Sequence, residues 1–122
     1  MKYVRLYTTP DGESHFEDVE SPIEVGSMQD WQKGMVPVQD GFFVLRSKPG
    51  FFADWHPAPR RQLIVMLAGE VEYGASDGTS RRHRAGEAFI VDDLTGKGHT
   101  TRILGDEDRY SIFIPLPDGV LA

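Results

Sequence analysis

Gly50-Phe51-Phe52-Ala53-Asp54-Trp55-His56-Pro57-Ala58-Pro59-Arg60-Arg61-Gln62-Leu63-Ile64-Val65-Met66-Leu67-Ala68-Gly69 is the stretch that decides the fold. Its second half carries apolar residues on two faces. Gln62, Ile64, Met66 and Ala68 share one; Leu63, Val65 and Leu67 share the other. Side chains of a β-strand change face at every residue, and a strand apolar on both faces is covered on both. One face is expected to line an interior and the other to pack on a second sheet or another subunit. His56, Ala58, Arg60 and Gln62 are separated by even numbers of residues, so a continuous strand would turn all four to one side. Arg61 has the opposite parity and is expected outside. Pro57 and Pro59 work against such continuity, because proline interrupts a strand's ladder.

The same pattern extends outward. Glycines and prolines are spread so evenly that no stretch free of both exceeds nine residues, which leaves little room for an average helix of about 11–12 residues. Short strands between turns fit that spacing. Phe42 to Leu45, Ala88 to Val91 and Ile112 to Ile114 are further β-branched and aromatic runs. Asp77-Gly78 supplies the positive φ angles of a tight turn and predicts a hairpin between Glu70–Ala75 and Thr79–Arg84. Residues 24–40 are the least regular; a short helical turn is placed at Met28–Gln32. The fold class is therefore all-β.

Composition narrows the function. The 122 residues suit one domain. There is no cysteine, so no disulfide, thiolate metal site or cysteine nucleophile. A net charge of −6 argues against a nucleic-acid surface. No apolar run reaches a membrane span, and Met1 to Thr9 reads as a strand rather than a leader. The expectation is a soluble cytoplasmic protein with neither nucleic-acid nor membrane partners. No serine nucleophile elbow, phosphate-binding loop or dinucleotide fingerprint is present.

Gly50, His56, Gln62 and Gly69 fall at the spacings of a known motif, G-x5-H-x-H-x3,4-E-x6-G. Gly86 and Gly96-x2-His99 match the ends of its companion, G-x5-P-x-G-x2-H-x3-N, across a gap two residues longer. In this the chain resembles the cupin superfamily, over about Phe42 to Phe113. Ala58 stands where the motif has its second histidine, Gln62 where it has glutamate, Leu94 for the proline and Ile103 for the asparagine. The resemblance implies an antiparallel jelly-roll barrel (the double-stranded β-helix). It would form a single domain over 1–122, with a core barrel at about 42–114 and N-terminal strands within 1–25. It implies a site inside the barrel, and many relatives hold a metal on three histidines and a glutamate. Others have lost it. Relatives include dioxygenases, isomerases, lyases and binding modules, so the fold does not choose a function.

The candidate metal ligands are His56, Gln62 and His99. Neutral imidazole is the commonest transition-metal ligand, and Gln62 offers a carbonyl oxygen without charge. The expected ion is a divalent transition metal: iron, manganese, nickel or zinc. Fewer ligands leave open positions, and uncharged ligands leave the ion its full charge, which favours a small anionic organic metabolite. Dioxygenase-like and isomerase-like chemistry both fit. Arg60 is the candidate for binding that anion, through its bidentate fork. The alternative is a metal-free barrel in which His56 is hydrogen-bonded to Gln62 and the cavity binds a small molecule. Enzymatic activity is left open.

Other features read as structural. Asp92-Asp93 is expected to be a solvated loop pair, Arg81-Arg82-His83-Arg84 a solvated face, and His15 part of an edge strand. Phe51, Phe52 and Trp55 are expected in the core. Trp31 is a candidate cover for the barrel mouth. Lys2 to Tyr7 forms a strand that needs a partner edge, which points to a homodimer.

Overall fold

The computed structural model describes residues 2–20, 29 and 41–121. Met28–Gln32 and Trp31 lie outside the described residues, apart from Gln29. Among the described residues the chain forms ten strands and no helix: β1 (Lys2–Thr8), β2 (Ser14–Glu20), β3 (Phe43–Ser47), β4 (Phe52–His56), β5 (Gln62–Ala68), β6 (Glu70–Ala75), β7 (Ser80–Arg84), β8 (Ala88–Asp92), β9 (His99–Leu104) and β10 (Arg109–Pro115). The apolar runs of the sequence fall in β3, β5, β8 and β10. The Asp77-Gly78 turn joins β6 to β7: Gly78 has φ +91°, and the Asp77 carboxylate accepts bonds from the amide and hydroxyl of Thr79.

The strands make two sheets, β2-β1-β8-β5-β10-β3 and β4-β9-β6-β7. The core between them includes Leu6, Ile64, Met66, Val71, Tyr73 and Phe89. This is a jelly roll, with one departure from the wholly antiparallel expectation: β1 runs parallel to β8. The long chain path between those two strands imposes no hairpin direction on them.

The alternation of β5 is as read, with Gln62, Ile64 and Met66 buried between the sheets. On its outer face Leu63 is covered by the chain's own C-terminal segment, while Leu67 is exposed. Leu63 packs beside Tyr3, Ile90 and Leu116 under Val120 and Leu121. The Arg61 guanidinium, outside as its parity required, donates to the carbonyls of Val120 (2.7 Å) and Leu121 (3.0 Å).

β1 is hydrogen-bonded on both sides, to β2 and to β8. The partner edges that the sequence called for are supplied within the chain, by β2 along Lys2–Thr8 and by β8 along Val4–Tyr7. Exposed apolar side chains lie instead on and beside the edge strands β3 and β4. Phe51, Phe52 and Trp55 are among them, exposed rather than in the core. Aromatic composition marks a strand but does not say whether it is an edge. No helix among the described residues is long and apolar enough to cross a membrane.

Candidate functional site

Pro57 and Pro59 end β4, and residues 57–61 pass from the four-stranded sheet to the six-stranded one. His56 and Gln62 therefore sit on opposite sheets and converge because the sheets face each other. Parity along one strand is not the cause. The crossing is tied down where the amide of Ala58 donates to the carbonyl of Asp93 (3.0 Å).

His99 opens β9 directly opposite His56. The backbones come together there because residue 98 is glycine. Gly98 has φ +75°, and a Cβ on it would overlap the carbonyl of His56 and the nitrogen of Pro57. The buried hydroxyl of Ser14 donates to the Gly98 carbonyl at 2.7 Å and fixes this turn. The rings of His56 and His99 end 4.6 Å apart, tilted by 52°.

Both rings line a cavity of about 200 Å³ between the sheets, with Gln62, Arg109 and an apolar wall that includes Ile64 and Phe113. Hydrogen bonds set the tautomers. His56 Nδ1 lies 2.6 Å from the carbonyl of Asp54, which only accepts, so Nδ1 carries the proton. His99 Nδ1–H donates to Asp93 Oδ2 at 2.6 Å. In its neutral form a ring held in this way bears its lone pair on Nε2. A carbonyl or carboxylate holding Nδ1–H is the arrangement that orients metal-ligating histidines. Gln62 is 2% exposed, and its Oε1 has no hydrogen-bond partner. Two imidazole lone pairs and an orphaned amide oxygen line one cavity, and the expected His56–Gln62 hydrogen bond is not formed. Imidazole nitrogens and an amide oxygen are donors of the kind that a divalent cation accepts. They do not rebuild the full motif: among the described residues no three His, Cys, Asp or Glu side chains gather as a metal cluster.

Asp93 is fully buried, and Asp92 is held by Arg5 at 2.9 Å; neither is the solvated loop residue expected from sequence. Asp93→Asn removes the charge that holds Nδ1–H. It is expected to cost about 2 kcal/mol of stability and to weaken divalent-metal binding ~10- to 100-fold. Thermal melts and a Zn²⁺ titration check both numbers.

Arg60 does not line the cavity. It lies exposed in the crossing segment, its guanidinium 5.8 Å from the Phe43 ring, because the prolines break the strand on which its inward parity depended. The arginine that does line the cavity is Arg109, which is 3% exposed. It follows Asp106-Glu107-Asp108 and so reads as part of a solvated turn. Its one signal was parity with Ser111 and Phe113 on β10. His83 is buried, not part of a solvated face. Its Nε2–H donates to the Glu87 carbonyl (2.7 Å), Tyr73 donates to its Nδ1 (3.2 Å), and burial pushes its pKa down. The flanking arginines pair with Asp18, Glu70 and Glu72. His15 is bonded to Asp77 (3.1 Å), away from the cavity.

No protein-family model matches the chain. No curated protein matches it either. Among solved structures it is similar to an uncharacterized protein of Klebsiella pneumoniae with a double-stranded β-helix domain, at 24% identity and a TM-score of 0.51, over 65% of this chain and 64% of that one. The match thus spans less than two thirds of that protein's length. A Neisseria meningitidis protein aligns at 18% identity over 62% of this chain and 72% of that one, with a TM-score of 0.48. A Cupin 2 barrel-domain protein of Leptotrichia buccalis aligns at 22% over 62% and 35%, with a TM-score of 0.46. Of these, the Klebsiella pneumoniae match speaks to the fold, and to the fold alone.

Proposed function

We propose, from the cupin fold that this chain adopts, that it holds a divalent transition metal on His56, His99 and Gln62 and admits a small anionic metabolite to the cavity beside it. The observation that carries this reading is the set of three candidate ligands lining one cavity: two imidazoles whose Nδ1 is already tied, and the Gln62 oxygen, which has no hydrogen-bond partner. A bound divalent ion would supply Lewis acidity, and with neutral ligands it would keep its full charge. The chain's own groups have defined tasks. Asp93 and the Asp54 carbonyl keep protons on Nδ1 of His99 and His56. Ile64 and Phe113 keep water from the apolar wall. Dioxygenase-like or isomerase-like turnover of the metabolite is the enzymatic form of this reading.

One observation favours a second reading, a metal-free small-molecule-binding barrel: no side-chain carboxylate or third imidazole joins the described set. Elemental analysis of tag-free protein separates the two. The first reading predicts about one equivalent of transition metal, or its uptake on reconstitution, and loss of metal in His56→Ala and in His99→Ala. Metal content equal in wild type and both variants, or absent even after reconstitution, would end it and leave the second.

A further inference from the structure

We propose that Arg109 anchors the negative end of the metabolite and that this end is a carboxylate. The inference rests on the reading of the cavity as a small-molecule site and names the ligand class it takes. Arg5, Arg46, Arg61, Arg81, Arg82 and Arg84 each lie within 4.0 Å of a carboxylate, and Arg60 and Arg102, which pair with none among the described residues, are exposed to solvent. Arg109 is the most deeply enclosed of these cations, and no carboxylate of the described residues reaches it. Its Nη2 donates to Ser47 Oγ at 2.9 Å, its Nε has no partner, and burial lowers its pKa.

An unpaired buried cation is costly. The chain is not short of acids to pair it. Asp106, Glu107 and Asp108 precede Arg109 directly, yet Asp108 binds Arg46 on the surface. Among the described residues nothing else satisfies Arg109, and a negative group entering the cavity it lines would.

The geometry also bounds the ligand. Arg109 starts β10, while Pro115 at the other end of that strand pairs with Gln62. The guanidinium reaches along β10 to within 5.8 Å of the Phe113 ring. The cavity is thus lined by one cation, by uncapped acceptors and by an apolar wall. Its 200 Å³ is below the roughly 300–1,000 Å³ of sites for drug-sized ligands, which restricts the ligand to a few carbon atoms. A planar fork with Nε unused matches a planar carboxylate. A phosphate dianion would call for further donors or cations, and among the described residues Arg109 is the only arginine or lysine lining the cavity.

The test is calorimetric titration with butyrate, pyruvate and 2-hydroxybutyrate, each beside its primary amide, and with inorganic phosphate. Wild type, Arg109→Met, Ser47→Ala and His56→Ala are compared, without metal and with Zn²⁺. At least one carboxylate is expected to bind wild type at least tenfold more tightly than its amide or phosphate. Arg109→Met should weaken it about 30-fold or more, and ligand-free Arg109→Met should melt higher than wild type, because an apolar chain replaces an unpaired buried charge. If that variant does not fold, Ser47→Ala carries the test, with a several-fold loss expected from the freed guanidinium. Carboxylate binding retained in metal-free protein and in His56→Ala separates this inference from the metal reading. Equal binding in wild type and the Arg109 variant, preference for phosphate or amide, or no binding of any carboxylate to wild type overturns the proposal.

Discussion

Gly98→Ala is expected to lower the melting temperature by roughly 10 °C and to abolish metal retention. Two costs add at this residue. A non-glycine side chain at φ +75° meets the left-handed penalty of about 1–2 kcal/mol. The new methyl would also overlap backbone atoms of His56 and Pro57, and backbone has no rotamer to give; overpacking of this kind adds about 1–3 kcal/mol. A total near 3 kcal/mol corresponds to roughly 10 °C in a domain of this size. Relief requires β4 and β9 to part at His56 and His99, which separates the two imidazoles. Differential scanning calorimetry with a parallel metal assay reads both effects. A melting temperature within about 2 °C of wild type would mean that the two backbones do not meet there in solution.

Gln62→Glu is expected to act in opposite directions on affinity and on metal-free stability. Glutamate keeps the shape of glutamine and turns the orphaned Oε1 into a carboxylate oxygen. Two unit charges at 4 Å attract by about 4 kcal/mol at an effective dielectric of 20, so even after desolvation a divalent ion should bind about 100-fold more tightly. Without metal the new carboxyl is buried, and its folded pKa is raised above the unfolded value near 4.3. The folded state then binds the proton more tightly than the unfolded state. Metal-free stability should fall as pH rises above about 4.3 and level off above the folded pKa. Melts at pH 5 and pH 8, with and without Zn²⁺, test this. A metal affinity no tighter than wild type would show that Gln62 is not a ligand.

Where the sequence was legible, the information was local. The alternation along β5, the Asp77-Gly78 hairpin and the glycine-bounded spacing of His56 and Gln62 need only a strand period and a turn. The companion His99 followed from a second spacing, and the structure sets it 4.6 Å from His56. What escaped was set by tertiary placement. Arg60 was assigned inward by parity that Pro57 and Pro59 interrupt. Asp93 looked like half of a solvated pair, because nothing local says that the amide of Ala58 and the ring of His99 close over it. Arg109 was hidden by three acids before it. The parallel pairing of β1 with β8 joins residues 85 apart, as Val4 with Phe89, beyond the reach of any periodicity.

The central claim is that His56 and His99 present Nε2 lone pairs to one ion. Long-range proton–nitrogen correlation spectra of the histidine rings, recorded before and after one equivalent of Zn²⁺, test it most directly. There are four histidines, and hydrogen bonding makes them distinguishable. His56 and His99 should show protonated Nδ1 and unprotonated Nε2, while His83 should show the reverse. One equivalent of Zn²⁺ should shift Nε2 of His56 and His99 together and leave His83 and His15 unchanged. Rings that do not respond at one equivalent, or a response confined to the half-exposed His15, would contradict the account.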